Sequence, residues 1–272
     1  MTEGQGERRH RDWRLIREES RPGPETMALD EVAARTAATG GPRTVRVYQW
    51  SPSCLSLGYS QDPATIDWET IESSGIDVTR RQTGGGAIYH DEVGDISYSV
   101  IAPADEFPGA LLDAYHRICE PIFEAFDRLG VDATYVPEER PGLYEPACYL
   151  RPLHPAHDIV ADGRKISGNA QYRQRDAVIQ HGSISFTVDG AAHLRPFVDP
   201  PSPAAFRDRV VGLTELVDVD RGTAVEILET TLSEWAGATA GSWRPAEVEA
   251  ATRLADTKYR ATDWIRAGTD PT

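Results

Sequence analysis

The segment His157-Asp158-Ile159-Val160-Ala161 reads as a strand, meets Asp162-Gly163, and resumes as a second strand over 164–173. An Asp-Gly pair tolerates the positive φ that a two-residue hairpin turn demands at its central positions. The two strands are therefore antiparallel neighbours, and this part of the chain is not a strand–helix–strand crossover. Further strand patterns surround the hairpin at 44–50, 54–59, 76–81, 95–102 and 177–187. A helical stretch opens at Pro24-Glu25-Thr26 and ends at Gly40-Gly41, and a short one covers 66–73. Leu111, Tyr115, Ile118, Ile122, Phe126 and Leu129 recur at three and four, which predicts an amphipathic helix over 109–129. Three more helical stretches lie near 203–212, 222–236 and 245–256. Strands concentrate in 44–187 and helices follow, so the expected fold is α+β, a mixed β-sheet flanked by helices. Residues 1–12 are expected to form a mobile tail. Residues 13–272 form a single domain in this reading, with a helical C-terminal segment over 203–266.

The net charge of −15 argues against nucleic acid as a partner, since phosphate binding needs positive charge to displace counterions. No apolar run reaches the roughly 18 residues of a membrane span. The start, MTEGQGERRHRDW, has no signal-peptide h-region, so no membrane partner and a cytoplasmic location are expected. The three cysteines, Cys54, Cys119 and Cys148, show no CxxC and no zinc-ligand spacing, so neither a disulfide framework nor a metal site is indicated. Cys54 and Cys119 fall within apolar patterns and are read as core. Of the 28 basic residues only Lys165 and Lys258 are lysines. Low lysine with abundant carboxylates suits a high-salt interior, where a Debye length of about 3 Å at 1 M screens self-repulsion. Where arginine would serve, this chain uses arginine, so a retained lysine marks a place that needs a compact ammonium.

Two segments carry candidate chemistry. In the first, Gly84-Gly85-Gly86 follows a strand, with Arg80-Arg81 before it and Tyr89-His90-Asp91 after it. Such a loop brings backbone N–H groups close to a carboxylate or phosphate, although three glycines also describe a plain flexible turn. It is neither a Walker loop nor GxGxxG. The second segment runs from Asp162 to Gln171 and places Lys165 just past the hairpin, followed by Ser167, Gly168 and Asn169. A solvated edge-strand lysine is the plain alternative for Lys165. Asp158, Gln171 and His181 add hydrogen-bonding groups on neighbouring strands.

RRQTGGGAIYHDEVGDISYS and HDIVADGRKISGNAQYRQRDAVIQHGSI together resemble the two signature stretches of the lipoate–protein ligase A and octanoyltransferase family, which is related to biotin–protein ligases. PGPETMALDE resembles that family's N-terminal helix, and KYRATDW its Lys-Tyr…Trp stretch. Biotin ligases fit less well, because a GRGRxxR-like loop is missing. The resemblance implies a mixed sheet holding a bent acyl chain, with Lys165 at the carbonyl or phosphate end. Gly84, Gly85 and Gly86 would wrap the acyl or phosphate portion, and Asp158 would orient the adenine or ribose. Arg81, Tyr89, His90, Ser167, Gly168, Asn169, Gln171 and His181 complete the implied acyl- or adenylate-binding set.

The reaction implied first is that of a lipoate–protein ligase, using ATP and Mg to make lipoyl-AMP. A lysine on a lipoyl domain of a 2-oxoacid dehydrogenase or glycine cleavage protein then attacks. Deprotonating that amine at pH 7 costs about 4.6 kcal/mol, hence the need for an activated acyl donor and a fixed cation. The alternative is an octanoyltransferase or amidotransferase without a cofactor. Cys148 would then take the acyl group from octanoyl-carrier protein as a thioester, and Lys165 would stabilise its thiolate. Cys148 also fits a buried apolar cysteine. Only 86 residues follow Phe186, too few for the full accessory domain of some ligases. A ligase would therefore call for a separate accessory subunit. A non-catalytic paralogue binding acyl groups or lipoyl domains is the third possibility, and the retained Lys165 weighs against it.

Overall fold

The computed structural model describes residues 12–107, 110–155, 157–173 and 176–271, so the expected tail lies outside the described residues except for Asp12. The chain begins with strand β1 (Trp13–Arg21), helix α1 (Gly23–Ala38), β2 (Arg43–Trp50) and β3 (Cys54–Leu57). Helix α2 (Trp68–Ser74), β4 (Asp77–Arg80), β5 (Ile88–His90), β6 (Asp95–Pro103) and α3 (Leu111–Arg128) follow. Next come β7 (Ala133–Tyr135), β8 (Asp158–Ala161), β9 (Arg164–Arg173) and β10 (Ala177–Ser185). The last part holds α4 (Gly190–Leu194), α5 (Pro203–Arg207), α6 (Leu213–Leu216), α7 (Arg221–Ala236), β11 (Thr239–Ala240) and α8 (Pro245–Leu254).

The strands form an eight-stranded sheet in the order β11-β1-β2-β6-β10-β9-β8-β7 and a three-stranded sheet in the order β4-β3-β5. β1 runs parallel to β2 and β11, and β3 parallel to β4, while the other pairs are antiparallel. The mixed sheet expected from the sequence is thus present. Strand alternation sorts side chains to two faces. Val45 and Val47 of β2 join the main core with Ile118, Ile122 and Phe126 of α3 and Leu228 of α7. Tyr48 and Trp50 instead meet Met27 and Leu29 of α1 and Leu254 of α8. α1 starts with Pro24 in its first turn, where a missing N–H costs nothing.

Three local differences from the sequence reading affect the site. Trp13–Arg21 is a strand, although its charges conceal any alternation; Arg14 is buried there because Glu247 pairs with it at 2.7 Å. The helix expected over 203–212 stops at Arg207, and the chain then runs beside Lys165. Lys165 N donates to Arg209 O at 2.8 Å, and Val211 N donates to Lys165 O at 3.0 Å. Finally, β9 lies inside the sheet between β8 and β10, so the lysine is not on an edge.

Candidate active site

The Asp162-Gly163 turn forms as expected, with φ of 49° and 68° at its two central residues. Beyond it the β8–β9 register shifts by one between Ile159 and Val160, leaving an extra residue on β9. Such a bulge re-aims side chains. Ile166 enters the main core, while Lys165 lines a cavity of about 240 Å³ walled by both sheets. Met27, Tyr48, Trp50, Ser97 and Ser183 form its buried inner part. Gly84, Gly85, Pro152, Arg151 and His157 lie at its more exposed end.

Lys165 is only 3% exposed, and its Nζ lies 2.6 Å from Asp158 Oδ1. Burial pulls the ammonium towards neutrality, but the charges of Asp158 and Cys148 outweigh it and hold Lys165 above the ordinary lysine value. Burial likewise pushes Asp158 up, and Lys165 with His157 overcomes it, holding the carboxyl well below the usual carboxylate range. The site therefore keeps a fixed, buried cation. Its Nζ also donates to the Cys148 main-chain oxygen at 3.5 Å.

A second buried cation, Arg81, shapes the glycine loop. Its guanidinium donates to Gly84 O and Gly86 O, both at 2.9 Å, to Ser56 O at 2.6 Å and to Thr83 Oγ1 at 3.2 Å. Burial lowers its pKa, while the charge on Cys148 acts in the opposite direction. Gly85 takes φ +94°, a conformation that disfavours a side chain. Gly86 allows close approach of the Cys148 segment: a Cβ there would sit 2.8 Å from Pro146 O and 2.9 Å from Cys148 N. The two segments are joined by Ala87 N donating to Pro146 O at 2.8 Å and Cys148 N to Ala87 O at 2.9 Å. Of the three cysteines, Cys54 and Cys119 are buried, as expected for core residues, whereas Cys148 is partly exposed and lines the cavity.

Two histidines support the cavity as neutral hydrogen-bonding groups. His90 stacks on Trp50 at 4.0 Å and bonds Asp95 through Nδ1 at 2.5 Å and Ser56 through Nε2 at 2.8 Å. His181 Nε2 lies 2.7 Å from Thr83 Oγ1, and its Nδ1 3.5 Å from Asp30 Oδ2. Burial lowers the pKa of both rings.

Most of the residues singled out from the sequence converge here. Cys148, Lys165, Asp158, Arg81, Gly84, Gly85, His90, Gly168, Asn169, Gln171 and His181 all line the cavity. Three do not. Gly86 packs behind the loop, and Tyr89 turns into the apolar cluster beside His193. Ser167 is fully buried away from the cavity because the bulge places it beyond the lysine. Asp158, expected to orient adenine or ribose, uses its carboxylate on Lys165 and on His154 N at 2.8 Å. Sequence reasoning missed Trp50, Tyr115 and His157. The first two sit in strand and helix patterns that look like ordinary core, and only the adjacency of His157 to Asp158 hinted at a role.

A family model described as the lipoyl protein ligase A/B catalytic domain matches residues 22–233. Octanoyltransferase LipM of Halalkalibacterium halodurans is 30% identical over 284 aligned positions, spanning 93% of this chain and 98% of that protein. The LipM of Geobacillus kaustophilus is 38% identical over 188 positions, covering 65% of this chain and 66% of that protein. Among solved structures, lipoate-protein ligase A bound with ATP matches with a TM-score of 0.80 at 24% identity, over 95% of this chain and 100% of that one. A bi-partite lipoate protein ligase from Thermoplasma acidophilum, described with its E2 lipoyl domain, matches at TM-score 0.78 and 23% identity, over 97% and 99%. These two structural likenesses speak for the fold. The family match, which spans most of the sequence, makes the assignment plain: the chain belongs to the lipoyl protein ligase A/B catalytic-domain family.

Proposed function

We propose that this chain is an octanoyltransferase that moves an octanoyl group from an acyl-carrier thioester to a lysine of a lipoyl domain through Cys148. One observation carries the reading: Cys148 lines the same cavity as two buried cations, Lys165 and Arg81, and its main-chain oxygen accepts from Lys165 Nζ at 3.5 Å. This reverses the order of the two chemistries favoured by the sequence. The named relatives at 30% identity and above are octanoyltransferases, whereas the ligase-named neighbours cited above support the fold.

The Cys148 sulfur gives up its proton and attacks the donor carbonyl, an S–C bond forms, the donor C–S bond breaks, and that proton leaves on the released donor thiol. The lipoyl-domain amine then attacks the enzyme thioester, forming an amide and returning Cys148. Lys165 opposes negative charge on the sulfur and the carbonyl oxygen. Exchange of one thioester for another is nearly balanced in free energy, so the acyl transfer calls for no ATP.

The test is intact mass after incubation with octanoyl-carrier protein and no ATP. An adduct of about 126 Da that disappears in Cys148→Ala is expected. An ATP-dependent lipoylation that survives Cys148→Ala, with no adduct in the parent, would overturn the reading in favour of a ligase centred on Lys165.

A further inference from the structure

We infer that His157 is the general base that takes a proton from the acceptor lysine amine as the acyl group leaves Cys148. This rests on the transferase reading above. The acceptor arrives as an ammonium, and an acylated nitrogen must lose two protons to become an amide. Lys165 is not suited to receive one, since its 2.6 Å contact with Asp158 favours the protonated form. His90 and His181 are also engaged: each has both ring nitrogens facing partners, Asp95 and Ser56 for the first and Asp30 and Thr83 for the second.

His157 differs on each count. It lines the exposed end of the cavity, and its side chain is 36% exposed. Its Nδ1 faces Asp158 Oδ1 at 3.6 Å, and its main-chain oxygen accepts from Asn169 Nδ2 at 3.2 Å. Among the described residues no hydrogen-bond partner meets Nε2. A carboxylate close to one nitrogen, just outside hydrogen-bond distance, and an unpartnered acceptor on the other, open to the cavity mouth, suit a proton-accepting imidazole. Asp158 Oδ1 thus lies against both groups: it pairs with Lys165 at 2.6 Å and sits 3.6 Å from the His157 ring. The other titratable neighbours are Tyr115, with its ring 5.6 Å away, and His154, stacked at 5.3 Å with Glu139 3.3 Å beyond it. Burial pushes the Tyr115 phenol up to about 12, so it remains neutral.

In the step assigned to His157, the amine nitrogen attacks the thioester carbonyl, the N–C bond forms, and the C–S bond breaks. One proton from nitrogen passes to His157 Nε2 and then to water. The other ends on the Cys148 sulfur, restoring the thiol.

The experiment separates the two half-reactions in the full chain. Cys148 is loaded from octanoyl-carrier protein and followed by intact mass, then mixed with a lipoyl domain, and discharge is timed. His157→Ala is expected to retain loading but to discharge about 100-fold more slowly or worse. Added imidazole is expected to restore discharge in His157→Ala, a rescue that a purely structural role would not permit. Discharge at the parent rate, equal loss of loading and discharge, or slow discharge unmoved by imidazole would each overturn the assignment. Failure of the parent chain to form any adduct would overturn the transferase reading with it, and the loading step alone distinguishes that case.

Discussion

Replacing Asp158 with Asn removes the counter-charge of Lys165 while almost preserving side-chain shape. Lys165 is 3% exposed and Asp158 2%, so water restores little of the lost pairing. Removing one member of such a buried pair costs about 3–5 kcal/mol. For a chain of this length, each kcal/mol moves Tm by about 2 °C, so the expected fall is about 6–10 °C. The pH dependence follows from the directions of the two shifts. Asp158 is depressed in the folded state, so its contribution is present above the ordinary carboxylate pKa of about 3.9 and is lost as pH falls through the folded value. Lys165 is raised, so its share is present below about 10.4 and is lost as pH rises through the folded value. The penalty of Asp158→Asn is thus expected to be steady from about pH 4 to pH 10 and to shrink outside that window. Thermal unfolding followed by circular dichroism gives the comparison, with Lys165→Met and the double variant completing a cycle. The double variant removes both charges and is expected to recover about 1–3 kcal/mol of the summed losses. A Tm change below about 2 °C for Asp158→Asn, or strict additivity in the cycle, would refute the reasoning.

Gly86→Ala places a Cβ against the backbone of Pro146 and Cys148 and is expected to cost about 1–3 kcal/mol and slow acyl loading. Gly84→Ala meets nothing within 4 Å, so urea unfolding of the pair is expected to separate them, and equal midpoints would contradict it. Burial keeps His90, His181 and His193 below the usual imidazole value. Stability present above about pH 6.5 is therefore lost on acidification, at up to about 1.4 kcal/mol per group per pH unit. Urea midpoints that do not fall between about pH 7.5 and pH 5.5 would count against that burial. The charge of −15 should repel an acidic lipoyl domain, so its apparent affinity is expected to improve with added salt. A steady decline would defeat that expectation.

The hairpin around Asp162-Gly163 was legible because its turn depends on local φ alone. The convergence of Lys165 with Gly84 was legible only through the family resemblance. Nothing local announces that Ile166 is the extra residue of a bulge, yet that one-residue shift puts Gly168 rather than Ser167 beside Lys165 on the cavity. β1 escaped notice because Arg14 is buried by a partner 233 residues away, a long-range pairing that no local pattern records. Cys148 remained ambiguous for a related reason. Its exposure depends on the backbone bridge to Ala87, and strand periodicity is absent from that loop.

That bridge gives the cysteine and the lysine different supports. The lysine belongs to the sheet, locked by β8, β10 and the 209–211 backbone, whereas the cysteine hangs from the glycine loop by two main-chain hydrogen bonds. Because those bonds involve no side chain, they place no demand on which residue occupies position 148. A single substitution at 148 can therefore remove the thiol while Asp158 still holds the buried ammonium at 2.6 Å. Reaction type becomes an interchangeable fitting on a frame that stays the same.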